Sequence, residues 1–233
     1  MTLILALVGR DNAVLAADAK QRKGDGDGFY ASAVEKLKIV NGGNWILGVA
    51  LAQIGLDLAG YVEENSESFN ANIHLGIHSY VKRMRELYRE HGHSAPTSLL
   101  VAGCGKDDVA VYGFNLEGGD DGTVVSEGAT KVLNQSAMGA AHHGAMYLSH
   151  ALHRMDTSLV QRISIAHFSV SEACKQDVRV GPPVEIGLVR VGKRPQILGP
   201  KQLENVQSQS AKIADEIRDM VMSSNPAIDD LLE

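Results

Sequence analysis

Thr2-Leu3-Ile4-Leu5-Ala6-Leu7-Val8-Gly9-Arg10-Asp11-Asn12-Ala13-Val14-Leu15-Ala16-Ala17-Asp18 opens on a threonine and closes on an aspartate. Leu3–Val8 and Ala13–Ala17 are short apolar runs, and the Gly9–Asn12 link between them has turn composition, so residues 3–18 predict a β-hairpin. A hairpin brings its two ends together at one sheet edge, here Thr2 and Asp18. Aminopeptidase processing normally removes an initiator methionine when a residue as small as threonine follows. Loss of Met1 would leave the Thr2 hydroxyl and a free α-amine on adjacent atoms. An amine titrating near pH ~7.7–8.0 can take the hydroxyl's proton and turn a weak nucleophile into a useful one. Threonine is also a common second residue, so this reading depends on what surrounds it.

Outward from the hairpin, Lys36–Val40 and Trp45–Leu51 flank Asn41-Gly42-Gly43-Asn44, residues that tolerate the positive φ of hairpin turns, and predict a second hairpin. The stretch from Lys23 to Ser32 between the hairpins is glycine-rich and reads as a loop with an aromatic tip, Phe29-Tyr30. That tip either enters a substrate pocket or packs on a neighbouring subunit. A calcium loop built on Asp25 and Asp27 lacks its other ligands and closing glutamate. Helical periodicity follows to about Glu64 and again from Leu75 to His91-Gly92. Strands are predicted at Ser98–Ala102, Val109–Phe114, Thr123–Val125, Thr130–Leu133 and Val184–Val191. Helices are predicted at Ala141–Arg154, Leu159–Cys174 and Gln202–Met222. Pairs of helices between blocks of strands predict an α+β fold, a four-layer αββα sandwich of two face-to-face sheets covered by helices. Without an internal repeat or a linker, residues 1–233 read as a single domain, with 201–233 a C-terminal helix and tail.

The bulk properties narrow the function. A hydrophobic content of 44% supports a substantial core, and a net charge of -6 argues against nucleic acid as a partner. Cys104 and Cys174 stand far apart without ligand spacing and read as reduced thiols of a cytoplasmic protein. Leu3–Val8 is far too short for a membrane span, so no membrane association is expected. Nine histidines invite a metal. However, His150 and His153 share a helix face with no completing ligand, and His142-His143 read as surface or interface residues, so neither a metal nor a cofactor is expected. Glu63, Glu64 and Glu67 read as a solvated helix end.

Lys36 begins the second hairpin, where its end can converge with Thr2 and Asp18. An ammonium there would lower the energy of a forming alkoxide, and an aspartate beside it would fix its orientation and charge. A backbone N–H in the small-residue stretch Gly48-Val49-Ala50 can serve a developing oxyanion. Asp177, in a helix-to-strand turn, can brace a neighbouring amine.

Taken together, Thr2 with Asp18, the Glu35-Lys36-Leu37 strand start, the small residues after Trp45 and Asp177-x-x-x-Gly181 resemble the proteasome β-subunit family of N-terminal nucleophile hydrolases, and among them the longer bacterial proteasome homologues. The resemblance runs in order to about residue 192. It implies Thr2 as nucleophile and base, Asp18 and Lys36 as the activating pair, Ala50 as the oxyanion N–H donor and Asp177 as the brace near the amine. Two serines usual in the family are missing, with Ala140 in the stretch Met138-Gly139-Ala140-Ala141 and Val180 standing in their region. The Asp18-to-Lys36 interval is slightly long, the excess falling in the glycine-rich loop. No propeptide is expected before Thr2.

The implied function is a threonine peptidase that cleaves unfolded polypeptide or peptide substrates through an acyl-enzyme, inside a homo-oligomeric ring, with an activator ATPase possible. Gly48, Ala52 and Leu56 suggest a roomy uncharged pocket, with Lys38 and Gln21 at its rim and Tyr30 nearby, though ordinary core packing would use the same residues. Arg22 lies where a substrate strand would pair with the main chain. Two other readings stay open: a catalytically weak or structural subunit, and an acyl-transferase or peptide ligase using the same nucleophile.

Overall fold

The computed structural model describes residues 2–23, 30–33, 35–50, 53–65, 67–93, 95–118, 124–125 and 128–223. In chain order the elements are β1 (Leu3–Val8), β2 (Asn12–Asp18), β3 (Lys20–Lys23), β4 (Tyr30–Ala33), β5 (Leu37–Val40), β6 (Trp45–Ala50), α1 (Gln53–Glu64), α2 (Ile73–Glu90), β7 (Thr97–Cys104), β8 (Val109–Gly118), β9 (Val124–Val125), β10 (Thr130–Val132), β11 (Gln135–Gly139), α3 (His142–Leu152), α4 (Leu159–Gln176), β12 (Val184–Arg190), β13 (Gln196–Ile197) and α5 (Pro200–Ser223). One antiparallel sheet runs β11-β1-β2-β12-β13 and the other β10-β8-β7-β6-β5, with β9 added to β8. β3 and β4 form a separate two-stranded ribbon. The fold is α+β, with two main antiparallel sheets and five helices among the described residues.

Strand alternation sorts the apolar side chains into three bodies. Along β1, Leu3, Leu5 and Leu7 pack with residues of α3, α4 and α5, whereas Ile4, Ala6 and Val8 pack against Ile46, Leu100 and Val111 of the other sheet. Along β6, Trp45, Leu47 and Val49 turn instead to α1 and α2, and Ile46 and Ala50 to the first sheet. Both faces of β1 and β6 are therefore buried, which explains why they read as unbroken apolar runs. Helix starts are fixed locally. Asn72 caps α2 by accepting the His74 N–H at 3.0 Å, and Ser158 with Gln161 forms a reciprocal capping box on α4.

Four strands, β3, β4, β11 and β13, lie outside the sequence expectation. β3 pairs with β4 from Lys20↔Ala33 to Lys23↔Tyr30, where a loop was expected from Lys23 to Ser32. Its Lys-Gln-Arg-Lys sequence has no apolar alternation, so backbone pairing alone makes it a strand. β11, Gln-Ser-Ala-Met-Gly, is half-buried throughout and exists because it completes the free side of β1, from Leu3↔Gly139 to Leu7↔Gln135. β13 is too short to announce itself. Asp25, Asp27, Phe29 and Thr123 lie outside the described residues, as does the tail beyond Ser223. Among the described residues no helix is long and apolar enough to cross a membrane.

α5 docks on α4 partly through polar contacts: Ser210 Oγ lies 2.8 Å from His167 Nδ1, and Ser164 donates to Gln209 Oε1 at 3.1 Å. Burial holds His167 below its ordinary value of 6.5. The unfolded chain therefore binds a proton that the folded chain resists, so this contribution to stability is full above about pH 6.5 and declines as pH falls through it. Chemical-denaturation curves at pH 7.5 and pH 5 should show a smaller acid loss in His167→Gln than in the parent protein. Equal losses would contradict the assignment.

Candidate active site

Asp18 ends the first hairpin with no solvent exposure. A carboxylate so buried requires donors, and it has four. Oδ1 accepts from the Leu3 N–H at 2.7 Å and from Lys36 Nζ at 2.9 Å, while Oδ2 accepts from the N–H groups of Gly181 at 3.1 Å and Lys20 at 3.3 Å. Lys36, itself buried, donates from Nζ to the Lys20 carbonyl at 2.8 Å as well, which assigns two of the three ammonium hydrogens. Burial lowers the Lys36 pKa, with Asp18 pulling in the opposite direction. The result is a buried amine that surrenders its proton more readily than a surface lysine, held in one orientation.

Thr2 is buried and lies one residue from the N–H that Asp18 binds. Its carbonyl accepts the Ala140 N–H at 2.8 Å. Gly139, opposite Leu3, has φ 95°, and a Cβ built there would be driven into the Thr2 carbonyl oxygen and lie 3.2 Å from the Ala50 methyl. Only glycine fits. Gly139 and Ala140 thus meet Thr2, one residue from the N–H that Asp18 binds, and Ala50, which closes β6 opposite Ser98, lies beside Gly139.

Asp177 is the residue just after α4, and its carboxylate grips Arg179, at 2.9 and 3.1 Å from Nε, 2.6 Å from Nη2 and 2.9 Å from the backbone N–H. Val180 is buried and donates its N–H to the Asp177 carbonyl at 3.2 Å. Gly48 presents its α-carbon to Leu37, Leu15 and Ile4 between the sheets, a packing position. Leu56 lines a hollow of about 420 Å³ with Lys38, Asp57, Gly60, Tyr61 and Glu64. Ala52 lies outside the described residues, and Gln21, Arg22 and Tyr30 are placed by the backbone of the β3–β4 ribbon alone.

His142 opens α3 and donates from Nδ1 to the Gly139 carbonyl at 2.7 Å, its ring 3.9 Å from that of His143. His153 lies 3.1 Å from the Val8 carbonyl through Nε2. No cluster of three or more His, Cys, Asp or Glu able to hold a metal occurs among the described residues. The Cys174 thiol, in α4, is pushed up to about 12 by burial first and by Asp18 second, so it stays protonated.

Sequence reasoning gave no site role to Lys20, Gly139, Gly181 or Glu185. The first and third act through backbone atoms, which leave no side-chain signature. Glu185 was visible as a lone carboxylate inside the apolar strand Val184-Glu185-Ile186-Gly187-Leu188, a pattern that calls for a buried partner.

Neither a protein-family model nor any curated protein matches the sequence. Solved structures do. A Gly-1 mutant of Anbu from Hyphomicrobium sp. strain MC1 is similar over 95% of this chain and 97% of its own, with 16% identity and a TM-score of 0.68. Anbu from Yersinia bercovieri, described as an ancestral beta-subunit, is similar over 94% and 96%, with 13% identity and a TM-score of 0.71. At that identity the likeness shows a common fold.

Removing one member of a buried ion pair strands the other. Asp18→Ala should therefore destabilise the protein by about 3–5 kcal/mol, measured by chemical denaturation. A loss within about 0.5 kcal/mol, the scale of a surface substitution, would mean that Asp18 does not organise this end of the fold.

Proposed function

We propose that this chain is a proteasome-like threonine peptidase, a single four-layer αββα domain of the N-terminal nucleophile hydrolase type that cleaves unfolded polypeptides in the cytoplasm. The observation that carries the reading is the buried Asp18–Lys36 pair, tied through the Leu3 N–H to the residue after Thr2. A lysine desolvated to this degree and paired near the start of β1 is costly for a structural purpose and would be useful for a nucleophilic one. The three apolar bodies support the layer order, and the Anbu likeness supports a beta-subunit type of chain.

In this mechanism loss of Met1 frees the Thr2 amine. Thr2 Oγ1 attacks the substrate carbonyl and passes its proton to that amine, while the Lys36 ammonium offsets the developing alkoxide charge. The tetrahedral oxyanion takes the Ala50 N–H. Its collapse expels the substrate amine, which receives the proton, and leaves an ester on Thr2. Water, deprotonated by the Thr2 amine, then releases the acyl group. Asp177 would brace the amine. Leu56, with Gly48, Ala52, Gln21 and Tyr30, would border the site for the residue before the cut, and Arg22 would pair with the substrate main chain. A homo-oligomeric ring would enclose these sites, fed by an activator ATPase or by diffusion. The hydroxyl-free side chains of Ala140 and Val180 beside the site favour one second reading, a catalytically weak or structural subunit.

Peptide turnover by the purified protein should vanish in Thr2→Ala and persist in Thr2→Ser. Undiminished turnover in Thr2→Ala would overturn the assignment. Light scattering should give a mass many times that of one 233-residue chain, and a monomer at working concentration would refute the ring.

A further inference from the structure

Among the described residues β5 is the outer strand of its sheet, so the N–H groups along one side of it have no strand there to bond. The residue just before β5 carries the amine that meets Asp18. Its backbone is held from the opposite sheet: Glu185 Oε2 accepts the Lys36 N–H at 2.7 Å and the Leu37 N–H at 3.1 Å. Register explains the reach. On β12, Val184 pairs with Asp18 and Glu185 with Ala17. Val184 and Ile186 belong to the apolar body under the helices, whereas Gly187 packs on Ile46 and Leu37 between the sheets. Alternation therefore sends the Glu185 side chain across the gap to β5.

We infer that Glu185 is the positioning residue for Lys36: its carboxylate clamps the start of β5 so that the amine meets Asp18. The catalytic consequence rests on the peptidase reading; the placement does not. Burial raises the Glu185 carboxyl above its ordinary value, and the two backbone N–H groups work against that rise. In turn Glu185 raises Lys36, acting after Asp18 and in the same sense. The charged or titratable groups around this amine are Asp18 from β2, Lys20 from β3, Glu185 from β12 and Cys174 from α4, with Glu35 acting on Glu185. Asp18 holds the head of the lysine and Glu185 holds its backbone.

Substitution separates the clamp from the charge. Glu185→Gln keeps an oxygen acceptor and loses the charge, and Glu185→Ala loses both. Competitive acetylation of Lys36 across pH, read by mass spectrometry on full-length Thr2→Ala protein, needs no catalysis. The Lys36 titration should move to lower pH in Thr2→Ala/Glu185→Gln. With Thr2 intact, Glu185→Ala should lower kcat by about 10- to 100-fold with KM little changed, the scale of a reacting group displaced by about 1 Å. Glu185→Gln should lose far less at pH 7 and show its alkaline limb at lower pH. Superimposable Lys36 titrations and an unchanged kcat in a folded variant would overturn the inference. A shifted titration in a protein that cleaves no peptide would uphold the placement of Glu185 and overturn the peptidase reading instead. If Glu185→Ala does not fold, Glu185→Gln decides on its own.

Discussion

The Asp18 carboxylate is the point on which this structure turns. It is wholly buried, and its two oxygens collect the Leu3, Lys20 and Gly181 N–H groups and the Lys36 ammonium. Taking a carboxylate and an ammonium out of water costs several kcal/mol per ion, and only near-complete hydrogen bonding offsets it. The requirement is geometric: the start of β1, the chain entering β3, the start of β5 and the turn before β12 all have to be in place at once. A group that needs so many partners makes one arrangement much better than its neighbours. The same need fixes a lysine amine near Thr2, so the site's geometry is a condition of the fold at this end.

The other end of the first hairpin is pinned by an independent device. Buried Arg162 donates to the Asn12 side chain, to the Thr157 carbonyl at 2.7 Å and to the Met155 carbonyl at 3.3 Å, filling the space beside Gly9. Between the two pins, small residues such as Ala6, Ala13, Ala17 and Ala102 let the sheets approach, while leucines and aromatics fill the spaces under the helices. β1 and β2 therefore have little freedom to slide. A residue at the start of β1 inherits that rigidity, which is what a nucleophile requires of its scaffold.

Much of this was legible in the sequence because the signals were local and redundant. The Leu3–Asp18 hairpin carries two apolar runs and a turn, and the Asn41–Asn44 turn carries positive-φ residues, of which Asn41, Gly42 and Gly43 adopt φ between 54° and 91°. α2 and α4 combine periodicity with side-chain caps. Other elements depend on partners distant in the chain. β11 is polar and becomes a strand only beside β1, and β3 pairs with β4 without apolar patterning. At the site, Asp18 and Lys36 were legible as charged residues ending apolar segments. Most of their supporting groups were not: Lys20 and Gly181 contribute backbone atoms, the need for glycine at position 139 arises from the Thr2 carbonyl, and Glu185, a lone carboxylate in an apolar strand, finds its partner on the other sheet.

The central claim is that the Asp18–Lys36 pair exists to activate Thr2. Covalent trapping tests it most directly. The purified protein is incubated with a hydroxyl-directed electrophile such as a β-lactone, and the modified residue is located by peptide mass spectrometry. The account predicts a chain beginning at Thr2, a single adduct on that threonine, and loss of the adduct in Lys36→Ala. A retained Met1, or labelling spread over surface nucleophiles and indifferent to Lys36, would contradict it.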